Sequence, residues 1–227
     1  MRISRGDRDD VGHNAAMDIA SPEIEAYAEA HTTPMVELLR ELTAETHATL
    51  PVPQMLTDVV AGRLLELLVY VSGARRVLEI GTFSGFSALS MAAGLPSGGR
   101  IDTCEIDPVH AEVACRYIAR SPYADRITVH LGPALETIAT LEGEFDFVFI
   151  DADKPNYANY LDAVLPRLSE RGMVAVDNTL WGGRVAEPGQ DQATRTMAAF
   201  NDRVAGDPSL TSVILTVRDG ITLIRRG

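Results

Sequence analysis

The chain has 227 residues, 46% of them hydrophobic, with a formal net charge of −12 at neutral pH. That length and apolar share supply one well-buried core and fall short of two full domains. The acidic balance excludes nucleic acid and membrane surfaces as partners, because binding either without specificity needs clustered Lys and Arg; only a local basic patch would overrule this.

Met1 to Asp18 is polar and mixed in charge, with Gly6, Asp7, Asp9, Asp10 and Gly12, and lacks the apolar stretch of a signal peptide. No later segment approaches the roughly 18 uninterrupted apolar residues of a membrane span. Residues 1–20 are read as a disordered tail and 21–227 as one domain, with N-terminal helices (21–73) and an α/β core (74–227). Ser21-Pro22-Glu23 puts a cap, a first-turn proline and a first-turn acid at one helix start, and Thr33-Pro34 repeats the signal before MVELLRELTAET. Leu50-Pro51-Val52-Pro53 breaks the chain. Thr57-Asp58 opens VVAGRLLELLVYV, whose Val60, Leu64, Leu67, Leu68 and Val71 recur at helical spacing until Ser72-Gly73 stops it. The apolar faces of MVELLRELT and LLELLVYV suit either a sheet edge or a second copy of the chain.

Strands then alternate with helices. RRVLEI (75–80), RIDTCEI (100–106), RITVHL (126–131), FDFVFI (145–150) and GMVAVD (172–177) are apolar runs separated by helical stretches, the signature of a parallel sheet buried on both faces. Near the end, Asp219-Gly220 separates LTSVILTV from ITLIRR and predicts a hairpin, so the sheet closes with an antiparallel strand. Cys104 falls in a strand and Cys115 on a helix; two cysteines so placed make neither a disulfide framework nor a zinc site and fit a reducing cytoplasm. The five histidines show no ligand spacing, and His13, His31 and His47 fall in exposed stretches.

Ligands of a doubly wound sheet bind beyond the carboxyl ends of its strands. Gly81 and Gly85 follow the first strand with G-x-x-x-G spacing, which is not the G-x-G-x-x-G of a pyrophosphate cradle. Glu79, two residues before Gly81, would repel a pyrophosphate and suits a ligand with a positive charge; the plainer alternative is a surface acid at a strand end. Glu105 ends the second strand, where an acid accepts hydrogen bonds from ribose hydroxyls. The cap of the helix opening at Pro108 is better supplied by Asp107.

LEIGTFSGFSAL, CEIDP, GPA (132–134), DADKPNY (151–157) and DNTLWGG (177–183) occur in order, each after a strand. From about residue 34 onward this resembles the cation-dependent O-methyltransferases that use S-adenosylmethionine, the catechol and caffeoyl-CoA O-methyltransferase family. The resemblance implies a Rossmann-like α/β fold: a doubly wound, mostly parallel seven-stranded sheet with an antiparallel C-terminal strand and extra N-terminal helices. It implies a cofactor site in which Glu79, Gly81 and Thr82 approach the methionine part, and Phe83 and Ser87 line it. Glu105 then holds the ribose with Ile106 beside it, Ala134 lies near the adenine, and Thr57 meets the methionine carboxylate through its backbone. Relatives are commonly dimers, which implies a homodimer here. The chain departs from the family at Val60 and Ala61, where many relatives carry polar residues before the glycine matched by Gly62.

Asp151 follows the fourth strand, and Asp177 and Asn178 the fifth. Neighbouring strands lie about 4.8 Å apart, so pairing of these two would converge three oxygen-bearing side chains on one rim, a set that suits Mg²⁺ or another hard cation. Taken singly, each could instead start a turn or cap a helix. The resemblance assigns the metal to Asp151, Asp177 and Asn178, gives Asp151 a contact with the cofactor region as well, and makes Lys154 the catalytic base. A divalent cation beside a lysine disfavours the ammonium, leaving a proton acceptor. Asp153 either bonds around the cofactor or only orients the loop. Trp181 is either an aromatic wall for a planar substrate or a packing residue. The activity implied is Mg²⁺-dependent methylation of a small phenolic substrate with vicinal oxygens, the rival substrate being a hydroxyacyl or phenolic group on CoA or an acyl-carrier protein. A noncatalytic adenosyl sensor would not need Asp151, Lys154, Asp177 and Asn178 together, and a nicotinamide dehydrogenase would need the missing glycine fingerprint.

Overall fold

The computed structural model describes residues 19–227, so the tail read over 1–20 lies outside the described residues except for Ile19 and Ala20. Seven strands, β1 (Arg76–Ile80), β2 (Arg100–Glu105), β3 (Ile127–Leu131), β4 (Phe145–Ile150), β5 (Leu168–Val176), β6 (Leu210–Leu215) and β7 (Ile221–Arg226), form one sheet in the order β3-β2-β1-β4-β5-β7-β6. β1 to β5 are parallel, and β7 runs antiparallel between β5 and β6. The fold class read from the sequence is therefore the one observed. Strand order reverses between β1 and β4, so their carboxyl ends border the crevice in which such sheets take ligands.

Helices cover both faces. On one, α2 (Glu37–Thr49), α3 (Val59–Ser72), α4 (Phe86–Gly94) and α5 (Pro108–Arg120) bury Leu42, Leu65, Met91 and Tyr117 against Val77, Ile101, Phe147 and Phe149. On the other, α6 (Ala134–Thr140), α7 (Tyr157–Val164) and α8 (Gln192–Gly206) bury Ile138, Leu161 and Met197 against Leu78, Ile80, Val148 and Val174. Burial on both faces is why the parallel strands read as continuous apolar runs. Each fully buried Leu or Ile contributes about 1.5–3 kcal/mol relative to exposure, and truncating Leu65 to Ala would cost about 2–5 kcal/mol.

The start and stop signals hold in most places. Asp58 caps α3 by accepting from Ala61 N at 2.9 Å, Gly73 ends it in the left-handed region at φ +65°, and Asp107 caps α5 through Val109 N at 2.8 Å. Two boundaries differ. α2 begins at Glu37 rather than at Thr33-Pro34, because Met35 is drawn into the core while Arg63 donates to the carbonyls of Thr33 and Pro34, at 3.0 and 2.5 Å, and keeps that stretch extended. β5 begins at Leu168, earlier than residue 172, because Leu168 pairs with Phe145 before the register shifts and Phe147 next meets Met173. Asp146 pins this irregularity, accepting from the backbone N–H of Arg75 and Arg76 at 2.9 Å each and from the Ser169 hydroxyl at 2.8 Å.

One further helix, α1 (Pro22–Ala30), begins after Ser21 with Pro22 in its first turn as predicted, but the Ser21 side chain makes no capping hydrogen bond, and the helix buries none of its own residues.

Candidate functional site

The first turn is built by contact between β1 and β4. Asp151 N donates to Ile80 O at 2.9 Å, and a Cβ added to Gly81, at φ +100°, would stand 1.9 Å from Asp151 O. Only glycine permits that approach. Gly85, at φ +94°, starts α4 where a Cβ would press on Ala114 of α5 at 3.2 Å.

Glu79 is no surface acid: it is completely buried. Its Oε2 accepts from the Thr103 hydroxyl at 2.5 Å, and Thr103 in turn lies 2.5 Å from the Thr82 hydroxyl. Oε1 has no hydrogen-bond partner among the described residues. Burial pushes the Glu79 carboxyl up to about 8; the Ser87 and Thr103 hydroxyls oppose that shift, and Asp151 and Glu105 add to it. A buried carboxylate with one idle oxygen is costly unless a donor or cation completes it. Thr82 faces this support and is itself buried, as is Ser87.

Glu105 stitches two turns together. Its Oε2 accepts from Phe83 N at 2.7 Å, and its Oε1 from Ile106 N at 3.0 Å and Asp107 N at 2.9 Å. With about four lone-pair directions on a carboxylate, Oε2 keeps room for one more donor. Phe83 is held at φ +48° with its ring edge-on to His110 at 4.7 Å. Ile106 is 71% exposed at the rim, an unusual position for an isoleucine, while Ala134 begins α6 and Thr57 immediately precedes the α3 cap.

At the next rim, Ile150 pairs with Val176, and Asp177 N donates to Ile150 O at 3.0 Å, so the residues after β4 and β5 converge. Lys154 Nζ donates to Asn178 Oδ1 at 2.5 Å, to Tyr157 OH at 2.6 Å and to Asp151 Oδ1 at 3.0 Å. The Tyr157 hydroxyl donates to Asp177 O at 3.2 Å. Asn178 takes a left-handed φ of +58°, and its N–H donates to Asp177 Oδ1 at 2.7 Å. Burial raises the Asp177 carboxyl to about 7, with Asp151 adding to the shift and Lys154 opposing it. Asp151, Lys154, Asp177 and Asn178 thus stand together, with an ammonium among the oxygens. The Asp153 carboxylate accepts from Tyr160 OH and Asn156 Nδ2, each at 2.5 Å.

Trp181 stands at φ +51° in the loop after β5, packs on the core with residues of α7 and α8, and leaves its buried Nε1 without a hydrogen-bond partner among the described residues. Sequence reasoning missed four neighbours: Thr103, Tyr157, His110 and Asp219. Asp219 lies on the β6–β7 turn, where its carboxylate accepts from Gly182 N and its carbonyl from Leu180 N at 2.9 Å. Its carboxyl is raised by burial, and the Gly182 N–H, Lys154, Arg184 and the Asn178 side chain all pull it down, which sets it beside the oxygen cluster. The DADKPNY motif contained Tyr157, but nothing in DG foretold that the hairpin returns to this rim.

Residues 26–227 match the family model described as O-methyltransferase. The chain is 32% identical to "Probable caffeoyl-CoA O-methyltransferase 2" of Dictyostelium discoideum, over 88% of this chain and 90% of that one. It is 36% identical to tricin synthase 2 of Oryza sativa subsp. japonica over 73% of this chain, a match spanning 61% of that protein. Among solved structures it is similar to the O-methyltransferase TomG of Streptomyces achromogenes, involved in tomaymycin synthesis and solved with S-adenosylmethionine. There the TM-score is 0.81 at 32% identity, over 90% of this chain and 96% of TomG.

Proposed function

Since the chain belongs to the O-methyltransferase family, we propose that it methylates a hydroxyl of a small aromatic substrate carrying vicinal oxygens, using S-adenosylmethionine and a divalent cation such as Mg²⁺. The observation that carries this reading is the juxtaposition of the Asp151, Asp177, Asn178 and Lys154 cluster with a buried, half-satisfied Glu79. Glu79 Oε1 fits a cationic amine, the spare direction on Glu105 fits one ribose hydroxyl, and Ile106 and Ala134 offer an apolar edge for a base. Thr57, Gly81, Thr82, Phe83, Ser87 and Asp151 complete the proposed cofactor set. Two carboxylates and an amide oxygen are hard donors suited to Mg²⁺, and the Lys154 side chain already bonded to Asp151 and Asn178 supports a site that takes positive charge.

When bound, S-adenosylmethionine supplies an electrophilic methyl group, and a divalent cation supplies Lewis-acid polarisation and alignment of adjacent oxygens. The chain's own residues do the rest. In its neutral amine form Lys154 would accept the hydroxyl proton at Nζ, which lies 2.6 Å from the Tyr157 hydroxyl. Trp181, whose ring carries the Arg184 guanidinium at 4.9 Å, is the proposed wall for the substrate ring.

A specific observation favours a second substrate form, a phenolic group on a phosphate-bearing carrier. A cleft of about 390 Å³ beside Lys154 is lined by Arg195 and by Arg203, the latter also paired with Asp162, and has no carboxylate in its own lining. Mass spectrometry of an ortho-diphenol panel and their CoA thioesters, incubated with S-adenosylmethionine and either Mg²⁺ or EDTA, separates the two. Methylated product that vanishes with EDTA supports the reaction, and the preferred panel names the substrate form. No product from either, with cofactor binding intact, sinks it.

We read the protein as one methyltransferase domain working in the cytoplasm as a homodimer. The free Cys104 and Cys115 suit a reducing compartment, and no described helix is long and apolar enough to cross a membrane. Leu67, Tyr70 and Val71, each more than half exposed on one face of α3, suit a second copy. Light scattering that finds a monomer at micromolar concentration would remove the dimer.

A further inference from the structure

Arg218 is a non-glycine residue at φ +51° on the β6–β7 turn, an uncommon backbone state that persists only where the surroundings impose it. Its guanidinium pairs with two carboxylates from separate elements: Glu25 on α1 and Asp58, the N-cap of α3. Asp58 serves both, one oxygen capping Ala61 N and the other meeting Arg218 Nε. The remainder of α1 holds the protein weakly: Ile24 and Tyr27 are 61% and 63% exposed, whereas the Glu25 side chain is only 15% exposed.

The same turn grips the opposite wall. Asp219 accepts from Gly182 N and Leu180 N, Thr179 N donates to Gly220 O at 3.0 Å, and a Cβ on Gly220 would collide with Leu180. Residues 218–220 therefore span from the loop carrying Trp181 to the N-termini of α1 and α3, past the oxygen cluster that Asp219 senses through Lys154 and Asn178.

We propose that Arg218 is a positioning residue for substrate binding: it sets α1 and the α3 N-terminus over the mouth of the site, in register with the Trp181 loop. The Arg218 guanidinium is engaged by Glu25 and Asp58 rather than by Glu79 or the oxygen cluster, so it acts on the substrate's surroundings and not on the reacting atoms. The inference rests on the methyltransferase reading for its kinetic test but not for its structural one. Both ion pairs are partly exposed and so are screened by salt.

The experiment uses the full chain and the variants Arg218→Gln, Arg218→Lys and Glu25→Gln, with hydrogen exchange of residues 22–30 and kinetics on whichever aromatic substrate the panel identifies. Arg218→Gln should speed α1 exchange and raise substrate KM about five-fold, with kcat within about two-fold. Arg218→Lys should recover part of both effects, and Glu25→Gln should also speed α1 exchange. High salt should raise the wild-type KM toward that of Arg218→Gln. Unchanged α1 exchange in Arg218→Gln overturns the brace, and so does a loss confined to kcat or a KM that Arg218→Lys does not improve. If no substrate turns over, the functional reading fails by itself and hydrogen exchange still decides the role of Arg218.

Discussion

The Lys154 ammonium stands 2.5 Å from Asn178 Oδ1, joining a residue after β4 to one after β5 across the rim of the sheet. It thereby occupies the position from which a proton acceptor would face a substrate oxygen, and also part of the oxygen cage that a divalent cation would use. Lys154→Ala should lower kcat by about 10²-fold or more while leaving cofactor affinity nearly unchanged. With the competing ammonium gone, calorimetric titration should show tighter Mg²⁺ binding. Unchanged turnover across pH would put the base elsewhere.

Asp177→Ala should abolish Mg²⁺-dependent turnover and leave S-adenosylmethionine binding largely intact, as read by parallel calorimetric titrations. The wild-type Asp177 carboxyl is raised to about 7 by burial, with Asp151 second. A cation binds its ionised form, so Mg²⁺ affinity should climb as pH rises toward about 7 and level off above it. Activity retained in the variant would sink the metal assignment.

Glu79 makes an independent pH prediction. Its folded-state value of about 8 lies above the ordinary 4.5, so its contribution to stability is fully present below about 4.5 and is lost as pH rises through about 8. A cationic amine beside it favours the charged form, so binding of S-adenosylhomocysteine should tighten from pH 6 toward 8 with release of a proton. Glu79→Gln should bind more weakly and flatten that profile. A wild-type affinity that does not change over this range would show that no cation meets Glu79.

Gly81→Ala tests the closeness of β1 and β4. The new Cβ would fall 1.9 Å from Asp151 O at a φ of +100°, so the strand ends must part. The expected cost is about 3 kcal/mol or more, seen as a Tm lower by about 6 °C or more in calorimetry. A variant as stable as the parent would show that the turn relaxes freely.

Much of this molecule was written locally. The alternation of apolar runs with helical stretches announced the parallel sheet because strands covered on both faces have no polar side to show, and Asp219-Gly220 announced the hairpin because few dipeptides accept its backbone. Asp58, Asp107 and Gly73 marked helix ends through the backbone groups they satisfy or the conformation they tolerate. Glu79, Glu105, Asp151, Asp177 and Asn178 were legible as candidates because each lies at or just beyond the carboxyl end of a strand, where such folds bind. Their partners were decided by tertiary structure. Thr103 reaches Glu79 only because β1 and β2 pair in the register that opposes those two residues. Asp219 reaches the Trp181 loop, and Arg218 reaches α1, only because β7 inserts between β5 and β6. Pairings between segments dozens to almost two hundred residues apart leave no periodic trace in the chain; they arise when the sheet closes its hydrogen-bond ladders and the helices bury its two faces.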